Sequence, residues 1–317
     1  MSRGYRDAFP VDSKSSANTV GRPEFFASPP DVFPGSDLFA EPREARIARF
    51  RRILERKMHG LSFSPYVDGQ APGTQISEEQ IRARLGIIAP YTRWIRTFSC
   101  IEGNQEVPRI AHEMGLKTMV GAGLGEDPAV NETELGNAIA VARAGHADIL
   151  AVGNEILLRG DMTEDELIAH IARAKAEAPG VAVGYVDAYF LFDEHPRVAD
   201  ACDVILINCY PFWERCPLEY SLFYMQQMVR RILPVAAGKK VIIAETGWPS
   251  HGSPYGSSIP GPDNAMNYFI NACEWAEREG IELFYFSSFD ESWKVGAEGD
   301  VGAYWGLWDK DGNLKYS

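Results

Sequence analysis

ILAVGNE at residues 149–155 and VIIAETGW at residues 241–248 are short apolar runs, and each carries a glutamate (Glu155, Glu245) at or near its end. Both are bounded by polar or glycine-rich punctuation, which reads as buried parallel strands rather than helices. Packing does not ask for a glutamate at such a strand end, whereas the carboxyl-terminal ends of parallel barrel strands face the mouth where barrels keep their chemistry. Six further runs of the same kind flank these two: LSFSPY (61–66), WIRTFS (94–99), KTMVGAGL (117–124), VAVGYVDA (181–188), VILINCYPF (204–212) and LFYFSSFD (283–290). Helical stretches fill the intervals. Two of them open on capping-box patterns, Ser77 with Gln80 and Thr163 with Glu166. After Gly60 the alternation is that of a parallel sheet with crossover helices, and eight such units close as a single-domain (β/α)8 TIM barrel. A doubly wound open sheet is the alternative, but it wants a nucleotide fingerprint at its first strand-to-helix turn, and SPYVDGQAPG offers none.

The chain has 317 residues, 45% hydrophobic and 11% aromatic, which is ample for one large packed domain. Its 44 acidic against 31 basic residues leave a formal charge of −13, which argues against nucleic acid as a partner. The basic stretch ARFRRILERK from Ala48 carries Phe50, Ile53 and Leu54, with Ile47 just before it, at helical spacing, and reads as an amphipathic surface helix. No apolar segment approaches the roughly 18 residues needed to span a bilayer, and the opening MSRGYRDAFPVDSK lacks the apolar core of a signal peptide, so a soluble monomer is expected, its compartment left open. Five scattered cysteines with no C-x-x-C pair are expected to be free thiols. Residues 1–42 are rich in Pro, Ser and Gly and read as an irregular lead or linker, with Phe25, Phe26, Phe33 and Phe39 expected to dock it; the barrel is assigned to 43–317.

Glu155 ends the fourth run and Glu245 lies in the seventh, so the two face each other across an eight-stranded mouth. One such glutamate alone is commonly a salt-bridge or capping residue; two together can straddle a glycosidic oxygen. Retaining glycosidases hold their carboxyls about 5 to 5.5 Å apart, so that one attacks the anomeric carbon while the other protonates the leaving oxygen.

ETGWPS (245–250), VGNE (152–155), NCYPFW (208–213), SFDESWK (288–294) and GLWDKDGNLKY (306–316) together resemble, in order and spacing, the motifs of glycoside hydrolase family 17, the β-1,3-glucan-active members of the clan A barrels. The resemblance covers residues 60 to 316. It implies Glu245 as nucleophile and Glu155 as general acid/base, with Asn154 binding the sugar 2-hydroxyl, Tyr210 orienting the nucleophile and Arg96 keeping a cation beside it. It also implies a glucan cleft walled by aromatic residues, for which Tyr66, Phe212, Trp248 and Trp293 are candidates, and sugar hydrogen bonds from Glu291 and Lys294. Aromatic faces suit the apolar CH faces of sugar rings. ESWK departs from many relatives between Glu and Lys, which bears on subsite preference.

GAGLG at Gly121 lacks a following Lys-Ser/Thr pair and is read as a turn, DKDGN at Asp309 as an Asp-Gly hairpin, and the histidines include no H-x-x-x-H pair. No metal or cofactor is expected, since acid/base chemistry needs none. The expected activity is retaining cleavage of β-1,3-glucan, leaning to glucanosyl transfer because PFWER and the loop from His251 are suited to shape an acceptor side and because no signal peptide points to a secreted degradative enzyme. The alternatives are a catalytically silent glucan-binding barrel and a clan A enzyme acting on β-1,4-glycans.

Overall fold

The computed structural model describes residues 40–316. The docking expected of Phe25, Phe26, Phe33 and Phe39 lies outside them, as does all of the expected lead but its last three residues. Eight parallel strands close in chain order: β1 Met58–Ser62, β2 Thr92–Arg96, β3 Lys117–Ala122, β4 Ile149–Asn154, β5 Ala182–Ala188, β6 Val204–Asn208, β7 Val241–Thr246 and β8 Leu283–Tyr285, with β8 pairing back to β1. The helices are α1 Arg43–Glu55, α2 Glu78–Ile88, α3 Val107–Glu113, α4 Pro128–Arg143, α5 Ile156–Arg159, α6 Glu164–Glu177, α7 Tyr189–Glu194, α8 Pro196–Ala201, α9 Leu218–Ala236, α10 Pro262–Glu279 and α11 Val295–Glu298. The expected TIM barrel is therefore present. No helix of the described residues is long and apolar enough to cross a membrane.

The strands are shorter than the apolar runs that announce them, and the difference lies chiefly at their carboxyl ends. β1 and β2 also begin earlier, at Met58 and Thr92. Residues such as Phe63–Tyr66, Thr97–Ser99 and Phe286–Asp290 leave the ladder and line the barrel mouth or the shell around it.

The capping signals act as read. Thr163 and Glu166 form a complete capping box, and Ser77 caps α2 by accepting from Gln80 N at 3.2 Å. The Gln80 side chain turns outward to Pro65 O (2.9 Å) and so ties the β1–α2 loop to the helix. The basic stretch forms α1, but it is less of a surface helix than its arginines suggest. Phe50 and Leu54 are buried, Phe50 packs on Phe269 of α10 at 4.9 Å, and Arg46 donates to Asn267 Oδ1 at 3.0 Å. Asp309 accepts from Asp311 N and Asn313 N, which makes the expected Asp-Gly turn. All five cysteines are free.

The interior of the barrel is a compact apolar plug of Met119, Ile149, Ala151, Val186, Val204, Leu206, Ile242, Ala244 and Phe284, with Trp94 packed against it. Alternate residues of each strand point inward, as the pleat requires. Gly60 of β1 faces Trp94 and Phe284 in register, and a Cβ there would stand 2.5 Å from the Phe284 ring. The alternation breaks at two places. Between Ala151↔Gly184 and Asn154↔Val186, β4 carries one residue more than β5; between Ile207↔Ile243 and Asn208↔Glu245, β7 carries one more than β6. Such bulges re-aim side chains. Here they bring Asn154 and Glu245 into the mouth although Ala151 and Ala244 already point inward.

Gly60→Ala is expected to destabilise the barrel by about 1–3 kcal/mol through overpacking against Phe284. Denaturant unfolding of the variant checks this, and an unchanged midpoint would show that the ring moves aside at little cost.

Candidate active site

Glu155 follows β4 with a left-handed backbone (φ 53°, ψ 33°), a conformation that costs a non-glycine residue of order 1–3 kcal/mol and persists where surrounding contacts hold it. Those contacts are identifiable. Its N–H donates to Val186 O at 2.8 Å, Gly153 before it takes φ 85°, and α5 starts directly after it. Behind α5 lies Asp187, wholly buried, which accepts from the Tyr185 hydroxyl, from Ala188 N (2.7 Å) and from Leu158 N (3.4 Å). Burial pushes the Asp187 carboxyl up to about 6, against the pull of these donors.

Glu245 is 5% exposed and holds two donors, one on each oxygen. The Arg96 guanidinium donates to Oε1, and the Tyr210 hydroxyl donates to Oε2 at 2.6 Å. Arg96 also donates to Asn154 Oδ1 at 2.7 Å, and Asn208 Nδ2 donates to Glu155 Oε1 at 2.9 Å while standing 3.4 Å from Asn154 Oδ1. A continuous polar chain therefore runs Glu245, Arg96, Asn154, Asn208, Glu155 across the mouth from β7 to β4. The two carboxyls at its ends differ in character. Among the described residues no cation is bonded to Glu155, and burial, the Glu245 charge and the Asp187 charge push its carboxyl well above the ordinary carboxylate range. Glu245 is gripped by a guanidinium and a phenol, both suited to a carboxylate.

The pair opens into a cleft of about 480 Å³ that runs over the ends of β8, β1, β2 and β3. Tyr66, Phe98 and Trp293 line it, with Tyr66 and Trp293 edge to face at 6.3 Å and Trp293 38% exposed. Glu291 and Lys294 line it as an ion pair at 2.6 Å, and Lys294 sits 4.1 Å from the Phe286 ring centroid. Burial alone would lower the Lys294 ammonium, but Glu291, Glu298 and Glu245 outweigh it and hold it up.

Phe212 and Trp248 do not join this wall. Phe212 is 0% and Trp248 1% exposed; they pack edge to face at 5.2 Å, and the Trp248 indole donates to Ile259 O. The reason is the loop after β6, which folds Phe212 and Trp213 onto Trp248, Tyr255 and Trp305 to make an aromatic plug beside the mouth. Aromatic composition at a strand end does not distinguish a wall from a plug. The other expected residues meet: Arg96, Asn154, Tyr210, Glu155 and Glu245 in one network, Tyr66, Glu291, Trp293 and Lys294 along the cleft. Asn208, Asp187 and Glu298 belong to the same neighbourhood and were not read from the sequence. Asn208 stands inside the NCYPFW segment, which was a usable signal; Asp187 and Glu298 carried none.

An eight-stranded parallel barrel with a raised carboxyl just after β4 and a cation-held carboxylate on β7, facing one aromatic cleft, defines a (β/α)8 glycosidase. Comparison with known proteins gives the family. The BtgE/BtgC glycoside hydrolase domain matches residues 60–306. A glucan 1,3-beta-glucosidase of Candida albicans is 30% identical over 258 residues, covering 74% of this chain and 84% of its own, and one of Saccharomyces cerevisiae is 26% identical over 270 residues, covering 77% and 86%. The glycoside hydrolase family 17 β-1,3-glucanosyltransferase of Rhizomucor miehei superimposes with a TM-score of 0.72 at 26% identity, over 82% of this chain and 96% of its own; an active-site mutant of it in complex with laminaritriose gives 0.73 at 25%, with the same coverage. The chain belongs to glycoside hydrolase family 17.

Tyr210→Phe removes one hydrogen bond to Glu245 and no packing volume of note. A charge-assisted hydrogen bond is worth about 1.5–3 kcal/mol, so kcat is expected to fall by roughly ten- to a hundredfold with little change in melting temperature. Steady-state kinetics beside thermal unfolding checks this.

Proposed function

We propose that this protein cleaves β-1,3-glucan with retention of configuration, using Glu245 as nucleophile and Glu155 as general acid/base, and that it passes the glycosyl unit preferentially to a second glucan. The opposite environments of the two carboxyls on one cleft carry this reading. In the first half-reaction a Glu245 oxygen forms a bond to the anomeric carbon as the glycosidic C–O bond breaks, and the Glu155 proton goes to the leaving oxygen. Arg96 and Tyr210 keep the attacking carboxylate oriented. Once Glu245 is esterified its charge is gone, and with it one of the causes that raise Glu155. The Glu155 carboxylate then takes the proton of the acceptor hydroxyl, whose oxygen attacks the anomeric carbon and releases Glu245. Asn154, fixed through its Oδ1 by Arg96, presents its amide N–H to the 2-hydroxyl of the reacting sugar.

The substrate linkage rests on the relatives: the glucan 1,3-beta-glucosidases by name, and the laminaritriose bound to the Rhizomucor miehei glucanosyltransferase mutant. Transfer and hydrolysis share every step but the last, where an acceptor sugar competes with water. The fold likeness to a glucanosyltransferase over nearly its whole length favours transfer, and the aromatic wall of Tyr66 and Trp293 offers a surface on which a sugar binds and water does not. Hydrolysis is the second reading, favoured by the glucosidase relatives.

Incubation with a reducing-end-labelled laminari-oligosaccharide, with products separated by mass, decides between them. Products longer than the substrate are expected; shorter products alone would establish a hydrolase. Glu245→Gln and Glu155→Gln should each lower turnover by roughly 10²–10⁴-fold or more, and turnover unaffected by either would remove the assignment of the pair.

The pH profile gives an independent check. Glu155 must be protonated to start the reaction, so the alkaline limb of kcat/KM should lie above the ordinary carboxylate range. Asp187 is one of the charges that raise it. Asp187→Asn should therefore move that limb to lower pH, and a shift to higher pH, or none, would contradict the coupling.

A further inference from the structure

The segment after β8, from the turn at Ser292–Lys294 through α11 and the turn at Gly299–Tyr304, folds over the cleft and turns one more carboxyl into it, that of Glu298. Glu298 lines the cavity with Glu155, Glu245, Glu291 and Lys294. Its Oε2 is buried beside the indole Nε1 of Trp305, which acts on the carboxyl as a loosely aligned hydrogen-bond donor. The indole fixes the carboxyl in the cleft wall, and a fixed polar group lining a cavity is a place for a ligand's polar group. The approach of this side chain depends on Gly302. A Cβ at 302 would stand 2.9 Å from Glu298 Cβ and 2.5 Å from Lys294 O, so a larger residue forces the carboxyl away.

Charge balance describes the state of the group. On this side of the cleft four carboxyls (Glu155, Glu245, Glu291, Glu298) face two cations, Arg96 and Lys294. Arg96 is committed to Glu245 and Lys294 to Glu291. Glu155 and Glu298 are left over, and burial, with Glu291 and Glu245 adding to it and Lys294 and the Trp305 indole opposing, pushes Glu298 up to about 7. A protonated carboxyl both donates and accepts, which matches the hydroxyl of a neutral sugar.

We propose that Glu298 is a further sugar-binding residue of the cleft, its carboxyl exchanging a hydrogen bond with a hydroxyl of the glycosyl unit held between Glu245 and Lys294. The inference rests on the glucan reading above. A sugar in the cleft expels water, which disfavours the ionised form of Glu298 further, so by linkage affinity falls as pH rises through about 7.

The test uses the full-length chain carrying Glu155→Gln, chosen to slow turnover while keeping the cleft, and measures laminaritriose binding by calorimetry with and without Glu298→Ala, Glu298→Gln and Gly302→Ala. Expected are about tenfold weaker binding for Glu298→Ala and for Gly302→Ala, partial recovery in Glu298→Gln, and loss of the decline in affinity between pH 6 and 8 in both Glu298 variants. Unaltered affinity and pH dependence in the Glu298 variants, with laminaritriose still bound by the parent, would overturn the role of Glu298 alone. No laminaritriose binding by the parent, while a β-1,4-linked trisaccharide binds, would instead overturn the β-1,3-glucan reading, and Glu298 would stand or fall on the same variants with that ligand. A melting temperature taken for each variant separates lost binding from lost folding: weaker binding at unchanged melting temperature supports the proposal, and weakening that only tracks destabilisation refutes it.

Discussion

The Arg96–Glu245 pair is the constraint on which the mouth of this barrel depends. A carboxylate that is 5% exposed has lost nearly all its water, and leaving it unpaired costs several kcal/mol, more than a point contact elsewhere can offset. The guanidinium from β2, itself 1% exposed, replaces that water across the barrel diameter. Its planar fork does two things at once, holding Glu245 with one arm and Asn154 with the other, which an ammonium cannot do with the same geometry. Phe98 covers the guanidinium face at 4.4 Å and closes it from solvent. Removing the arginine would thus leave the Glu245 charge with the Tyr210 hydroxyl but no cation, and strip the guanidinium from Asn154 Oδ1 and the Phe98 face.

The polar chain that starts at this pair separates two chemically identical side chains. At one end Glu245 is surrounded by donors; at the other, Glu155 receives one amide from Asn208 and otherwise feels burial and two negative neighbours. The difference comes from positions rather than from residue type, and the positions come from two bulges. Each inserts a residue into a strand whose inward face is already filled by alanine, so the chain tilts and the next polar side chain enters the mouth. A small inward residue below the bulge, Ala151 or Ala244, leaves the room for this.

Much of this was legible in the sequence. The eight apolar runs and the helices between them prescribe the barrel, because both signals are local: strand runs are bounded by glycine and polar residues, and Thr163 with Glu166 cap a helix from three residues apart. Arg96, Asn154, Glu155, Tyr210, Glu245, Tyr66, Glu291, Trp293 and Lys294 lie at or beyond strand ends, and the barrel brings strand ends together by construction. The aromatic residues mark the boundary of such reading. Phe212 and Trp248 occupy the same kind of strand-end position as Tyr66, and only the path of the loop after β6 makes them part of a plug.

What the sequence alone determined is therefore the architecture and the pair of glutamates, since strand period, helix caps and motif order are properties of short segments. Tertiary structure decided the rest. The left-handed backbone of Glu155, the one-residue register shifts at β4 and β7, the buried Asp187 behind Glu155 and the room that Gly302 leaves for Glu298 all arise from contacts between segments distant in sequence or between paired strands. Carboxyl chemistry follows from burial and neighbouring charge, and neither exists until the chain has closed on itself.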